Sequence, residues 1–157
     1  GELMKGFLSK RKIPDAMRTK LAVYSDGEYL ADNLQGALPA ISLTAHAGLI
    51  SAFANDVKAD MVYAQQVYGY AKRGDVLIGI TTSGNSANVV NAAKVAKACG
   101  MKVIGLTGKK KNLLDETAYT VIHVPETETF KVQELHLPVY HYLCAACEKR
   151  FFENNNY

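Results

Sequence analysis

The sequence predicts an α/β fold, a three-layer α/β/α sandwich built on a parallel sheet, from three observations. Short apolar, partly β-branched runs recur at 76–80, 102–106 and 119–124. Between the first two, Ser86 to Cys99 sets Asn88, Asn91, Lys94 and Lys97 every third residue among alanines and valines, the pattern of an amphipathic helix. Glycine breaks, Arg73-Gly74-Asp75 and Gly100, separate helix from strand. Alternating strands and helices imply right-handed crossovers and a parallel sheet covered on both faces.

In chain order, Phe7 to Tyr24 mixes basic residues with Pro14 and reads as a loop with room for a short helix. Ser25 to Leu38 reads as an irregular polar connector. Ala40 to Thr44 reads as a strand, followed by an alanine-rich helix from about Gly48 to Ala54, which the turn-forming pair Asn55-Asp56 ends. From Asp60 to Lys72, Met61, Ala64, Val67, Tyr68 and Ala71 recur at helical steps. Val76 to Ile80 is expected as a buried strand. Thr107-Gly108 and Lys109-Lys110-Lys111 form the loop after the second strand, and that lysine run is read equally well as a solvated face or as a phosphate contact. Pro125 closes the third strand. A long helix spans Thr129 to Phe152 with Pro138 inside it, where the lost N–H predicts a kink or a late helix start. The polar tail Asn154-Asn155-Asn156 is expected to fray.

At 157 residues the chain is expected to form one domain, with 48% hydrophobic and 21% charged residues, ordinary for a water-soluble protein. A net charge of +3 with scattered lysines is too weak a signal for nucleic acid. No apolar run reaches the ~20 residues of a membrane span, and no basic and apolar leader opens the chain, so no membrane partner and a cytoplasmic location are expected. Cys99, Cys144 and Cys147 are too few for a disulfide framework; Cys144-Ala-Ala-Cys147 has a redox spacing but lies late in a helix, and is read as packing.

The chemistry concentrates between the first strand and its helix. Thr81, Thr82, Ser83 and Ser86 place four hydroxyls in six positions around Gly84. Free N–H groups and the dipole of the following helix favour an anion there, and a phosphate is the natural guest. Ser86 could also be a plain helix cap, but one cap needs one hydroxyl, not four. There is no Lys after the glycine and no three-glycine fingerprint, which disfavours a nucleoside triphosphate or a dinucleotide. In the last helix, Glu134 and His141 lie within about 20° of each other at ~100° per residue, and Gln133 lies about 80° from His141.

Gly79 to Asn88, Gly100 to Gly108 and Gln133-Glu134-Leu135-His136 together resemble the sugar isomerase (SIS) domain, and within it the phosphoheptose isomerases. The similarity runs from about Gly1 to Glu153. The resemblance implies a flavodoxin- or Rossmann-like parallel sheet with the ligand at the carboxyl ends of its strands. It also implies that an N-terminal helix, a first strand and a first loop precede Gly1 in the family, so residues 1–157 are expected to be a single SIS domain lacking those parts.

The resemblance further implies the site. Gln133 and, eight residues on, His141 match a family Gln and His; Glu2 matches the family's catalytic glutamate. Glu2 is then the base that moves a carbon-bound proton, and His141 the acid that protonates oxygen or opens the ring. Thr81, Thr82, Ser83 and Ser86 hold the phosphate, and Asn55 and Asp56, read from residues alone as a turn, line the substrate pocket with Gln133. Glu134 and His136 receive no catalytic role. Some members bind zinc, and three ligands map to Glu2, Gln133 and His141. Glutamine is a weak ligand, so one labile zinc per subunit is implied, and without a fourth ligand the chain is not expected to hold it tightly.

The expected activity is conversion of sedoheptulose 7-phosphate to D-glycero-D-manno-heptose 7-phosphate in heptose and lipopolysaccharide synthesis, by a homotetramer with sites shared between subunits. The alternative is a non-catalytic SIS protein that binds a sugar phosphate or, like the replication-initiator-associating relatives, a protein. Those relatives typically lack the histidine matched by His141.

Overall fold

A computed structural model describes residues 1–153; the tail Asn154-Asn155-Asn156 lies outside them. The chain divides into two compact units, one of Gly1–Ile41 with the residues from Pro138 onward, the other of Ser42–Leu137.

In the second unit, β1 (Val76–Ile80), β2 (Lys102–Thr107) and β3 (Thr120–His123) form a parallel sheet in the order β1-β2-β3. Ile78 is in register with Ile104, and Ile104 with Thr120. The parallel α/β fold read from the sequence is the one observed. The crossover between β1 and β2 is α5 (Ala87–Ala98), whose Val90, Ala92, Ala93 and Ala96 are buried with Val67 of α4 (Val62–Tyr70), Val103 of β2 and Leu114 of α6 (Leu113–Thr117). Small alanines on α5 let these elements approach closely. Gly100, at φ +78°, ends α5 as expected.

Successive side chains of a strand point to opposite faces, and the two faces of β1 differ in burial. Gly79 faces α5, where a Cβ would stand 3.1 Å from Val89 Cγ1, whereas Val76, Ile78 and Ile80 remain 51%, 45% and 49% exposed. The expectation of a buried strand therefore fails on one face of β1.

The expected strand at Ala40–Thr44 is absent. Strand residues need a neighbouring ladder, and here Ala45 N–H instead closes a turn on Ser42 O, while Leu43 O accepts from the Gln66 side chain. After α3 (Ala47–Phe53), Asn55 and Asp56 do not stop the helix: Ala54–Lys58 widens into a π-helical turn and Ala59–Met61 tightens into a 3₁₀ turn that leads into α4.

In the first unit, α1 (Asp15–Leu21) packs with α2 (Gly27–Asn33). The second replaces the expected irregular connector. Glycine permits the tight entry to α2, because a Cβ on Gly27 would lie 2.0 Å from Leu21 O. An Arg18–Asp32 ion pair ties the two helices. The long helix α7 (Thr129–Glu148) continues through Pro138 without a late start, and a π-helical turn, Lys149–Glu153, follows it. Among the described residues no helix is long and apolar enough to cross a membrane.

Candidate functional site

The hydroxyl loop lies at the carboxyl end of β1, where the strand hands over to α5. Gly84 stands at φ +68°, a left-handed conformation that glycine adopts without strain. Ser86 occupies the N-cap of α5 but makes no side-chain cap bond. Its Oγ is instead 2.8 Å from Thr81 Oγ1, and Ser83 Oγ accepts from Asn85 N–H. The hydroxyls are thus organised around the loop itself and not spent on capping. The N–H groups of a first helical turn have no intrahelical acceptor, so the loop meets α5 where an anion is favoured.

A second segment braces that loop. Gly108 N–H donates to Thr82 O, Leu113 N–H to Asn85 Oδ1 and Leu114 N–H to Gly84 O. Asn112 caps α6: its Oδ1 accepts from Leu114 N–H, and Asp115 Oδ2 accepts from Asn112 N–H in return. Asp115 Oδ1 accepts from His123 Nε2 at 2.8 Å, and His123 Nδ1 donates to Gly108 O at 2.8 Å. Burial pushes the Asp115 carboxyl up, but Asn112 N–H and His123 outweigh it and hold it below the usual range. The Gly108 carbonyl raises His123, burial opposes it, and the bond and charge of Asp115 add to the rise, so the ring stands above the ordinary histidine value.

Sequence reading passed over Asn112, Asp115 and His123. The four residues Asn112-Leu113-Leu114-Asp115 do fit a capping box before apolar residues, a signal that could have found α6. Nothing local marks His123.

Asn55 and Asp56 are exposed on their π-helical turn, with Asn55 Nδ2 donating to Asp56 Oδ1 at 2.9 Å. The segment after them is tied to α5, where Asn91 Nδ2 donates to Asp60 O. Gln133 and Glu134 are exposed on the first half of α7, and His136 is buried with no hydrogen-bond partner for its Nε2 among the described residues.

The expected acid and base, Glu2 and His141, both belong to the first unit. His141, Cys144 and Glu148 recur at three and four residues along α7 and so share one face. The Phe7 ring lies 5.4 Å from the His141 ring, and Tyr140 meets the same imidazole edge-on at 4.9 Å. Burial, with the field of Glu2 second, pushes the Cys144 thiol up. The Glu2 carboxylate therefore acts on Cys144, one turn beyond His141. Its own backbone N–H holds Glu2 below the usual carboxylate range. The three cysteines are free, and a raised thiol suits the packing role read for Cys144.

Glu2 is anchored through its backbone. Arg11 Nη2 donates to Glu2 O and Nη1 to Leu3 O, both at 2.7 Å, while Arg11 Nε donates to Glu148 Oε2. Glu148 also accepts from the N–H groups of Phe7, Leu8 and Ser9. Neither Arg11 nor Glu148 stands out in the sequence.

The zinc ligands that the resemblance implies differ in strength. Glu2 and His141 are strong ligands, Gln133 a weak one, and zinc takes four. Among the described residues, no group of three or more His, Cys, Asp or Glu side chains is close enough to hold a metal ion.

The SIS domain family profile matches residues 30–108. Phosphoheptose isomerase of Nitratiruptor sp. is 39% identical over 134 residues, which span 81% of this chain and 72% of that relative. The structure of a phosphoheptose isomerase from Francisella tularensis superposes with a TM-score of 0.68 at 32% identity, covering 83% of this chain and 67% of that one. The phosphoheptose isomerase of Neisseria gonorrhoeae gives the same TM-score at 36% identity, over 78% of this chain and 69% of that one. With the hydroxyl loop at the carboxyl end of β1, this chain belongs to the SIS-domain family and, within it, to the phosphoheptose isomerases.

Proposed function

We propose that this chain acts as an aldose–ketose isomerase that converts sedoheptulose 7-phosphate to D-glycero-D-manno-heptose 7-phosphate. The observation that carries the reading is the Thr81–Ser86 loop, whose hydroxyls are free of capping duty, in a chain of the phosphoheptose isomerase family. Isomerisation moves a proton between adjacent carbons through a cis-enediol and needs a base at carbon and an acid at oxygen. Glu2 takes the proton from the carbon beside the carbonyl and returns it to the neighbouring carbon. His141, positioned between Phe7 and Tyr140, gives a proton to the carbonyl oxygen and recovers one from the adjoining hydroxyl. Thr81, Thr82, Ser83 and Ser86 hold the phosphate, so that binding energy far from the reacting carbons orients them. Asn55, Asp56 and Gln133 are assigned to the sugar hydroxyls.

The reading extends to a cytoplasmic homotetramer whose subunits share sites, on the strength of the family resemblance. Its test is proton NMR of the protein in deuterated water with a panel of ketose phosphates, beside His141→Ala. Deuterium uptake next to the carbonyl with the seven-carbon phosphate, lost in the variant, is the expected result. Absence of exchange with every sugar phosphate would sink the isomerase and leave a binding module.

A further inference from the structure

Proton transfer by Glu2 and His141 makes no use of the segment between β2 and β3. Its three lysines, Lys109 to Lys111, are exposed, while Asn112 beneath them is only 7% exposed. We infer that Asn112, fastened by Asp115 and His123, is a positioning residue that sets the shape of the phosphate-holding loop. The inference rests on the phosphate reading of that loop.

The closest approach is at Gly84. A Cβ there would lie 2.0 Å from Asn112 Cγ and 2.1 Å from its Oδ1, so the Asn112 amide rests against the bare α-carbon at the loop's left-handed turn. That amide is bonded at both ends. Oδ1 accepts from Leu114 N–H, and Nδ2 donates to Lys110 O at 2.9 Å and to Thr107 Oγ1 at 3.2 Å. A planar group held at both ends has little freedom to slide, and it presses on the residue between Ser83 and Asn85.

The remaining bonds bring the two loops into one unit. Thr82, Gly84 and Asn85 each accept from Gly108, Leu114 and Leu113 respectively. His123 then closes the segment at its ends, reaching Gly108 O with Nδ1 and Asp115 Oδ1 with Nε2. A carbonyl and a carboxylate are both acceptors, so the His123 ring bridges the two ends of the segment through its two nitrogens. Asp115 passes the constraint to Asn112 through the Asn112 N–H. Binding an anion among hydroxyls and N–H groups needs those donors already aimed, and loosening them costs affinity.

The test is a titration of the full chain with inorganic phosphate, followed through the amide signals of Ser83, Gly84 and Ser86, with kcat and KM for the seven-carbon sugar phosphate alongside. Asn112→Ala is expected to weaken phosphate about fivefold or more, the size of a lost cap, and to raise KM by more than it lowers kcat. Asp115→Asn, which keeps the side chain's shape, is expected to shift both in the same direction and serves if the first variant does not fold. Wild-type amides that ignore phosphate would overturn the phosphate reading and this inference with it. Wild-type binding that both variants reproduce with unchanged KM would overturn the positioning role alone, as would a loss confined to kcat.

Discussion

Arg11 Nε donates to Glu148 Oε2 at 2.7 Å across 137 positions of sequence, and the two side chains are 0% and 1% exposed. A buried pair of this kind owes its tolerance to hydrogen bonds on its polar atoms, and every nitrogen of the guanidinium and both carboxylate oxygens have a partner. Glu148 accepts from three backbone N–H groups as well, and the other guanidinium nitrogens of Arg11 bond the Glu2 and Leu3 carbonyls. Removing one partner leaves a charge in the interior, a loss of about 3–5 kcal/mol. Arg11→Met should therefore lower the urea midpoint strongly, and Arg11→Met with Glu148→Leu should recover part of the loss. A single variant that melts within a degree of wild type would contradict the pair's structural role.

The same carboxylate predicts an acid transition. Burial pushes Glu148 up, but the N–H groups of Phe7 and Leu8, the Arg11 guanidinium and Ser9 N–H together lower it from 4.5 to about 2. A depressed value means the unfolded chain binds the proton first as pH falls. Stability from this group is complete above the unfolded value and is lost as pH drops from about 4.5 toward 2. Urea midpoints measured across that range should fall less steeply in Glu148→Gln than in wild type.

His123 should titrate above the ordinary histidine value of 6.5, and Asp115 below 3.8. The raised group stabilises the fold fully below the unfolded histidine value and loses that contribution as pH rises through its folded value; the lowered group does so above its unfolded value and loses it toward acid. The segment from Gly108 to Asp115 is therefore held best between the two. Carbon-13 or proton shifts of the His123 ring followed against pH give the value directly, and Asp115→Asn should move it downward. An unchanged midpoint in that variant would remove Asp115 as a cause.

Ser86→Ala separates anion binding from helix capping. A capping serine contributes about 1 kcal/mol, and Ser86 makes no such bond, so thermal stability should change by less than that. Hydrogen bonds to a charged group are worth roughly 1.5–3 kcal/mol, so phosphate affinity should fall on the order of tenfold or more. The opposite outcome, a melting loss with intact affinity, would return Ser86 to a cap.

Gly84→Ala meets two obstacles, a φ of +68° and the Asn112 side chain 2.0 Å from the new methyl. Loss of phosphate binding is expected. Adding Asn112→Gly removes the clash but not the backbone cost of about 1 kcal/mol, so recovery should be partial. Full activity in Gly84→Ala alone would refute the close packing of Asn112 on this turn.

The elements legible in the sequence were those with a local cause. β1, β2 and β3, and the helices α4, α5 and α7, announce themselves by periodicity and by glycine punctuation, because each signal lies within a dozen neighbouring residues. The hydroxyl loop was legible for the same reason, and Glu2, Asn55, Asp56, Gln133 and His141 entered through resemblance to a family. What tertiary structure decided is of longer range. The strand read at Ala40–Thr44 has no ladder, since pairing depends on a neighbour and not on β-branching. The connector read at 25–38 became α2 because α1 packs with it and Gly27 admits Leu21 O at close range. Half of β1 stayed exposed, because burial belongs to whatever lies against a face. The networks Arg11–Glu148 and Asn112–Asp115–His123 join residues that carry no signal singly; only folding brings a carboxylate, three N–H groups and a guanidinium to one point, and only there does their chemistry become visible.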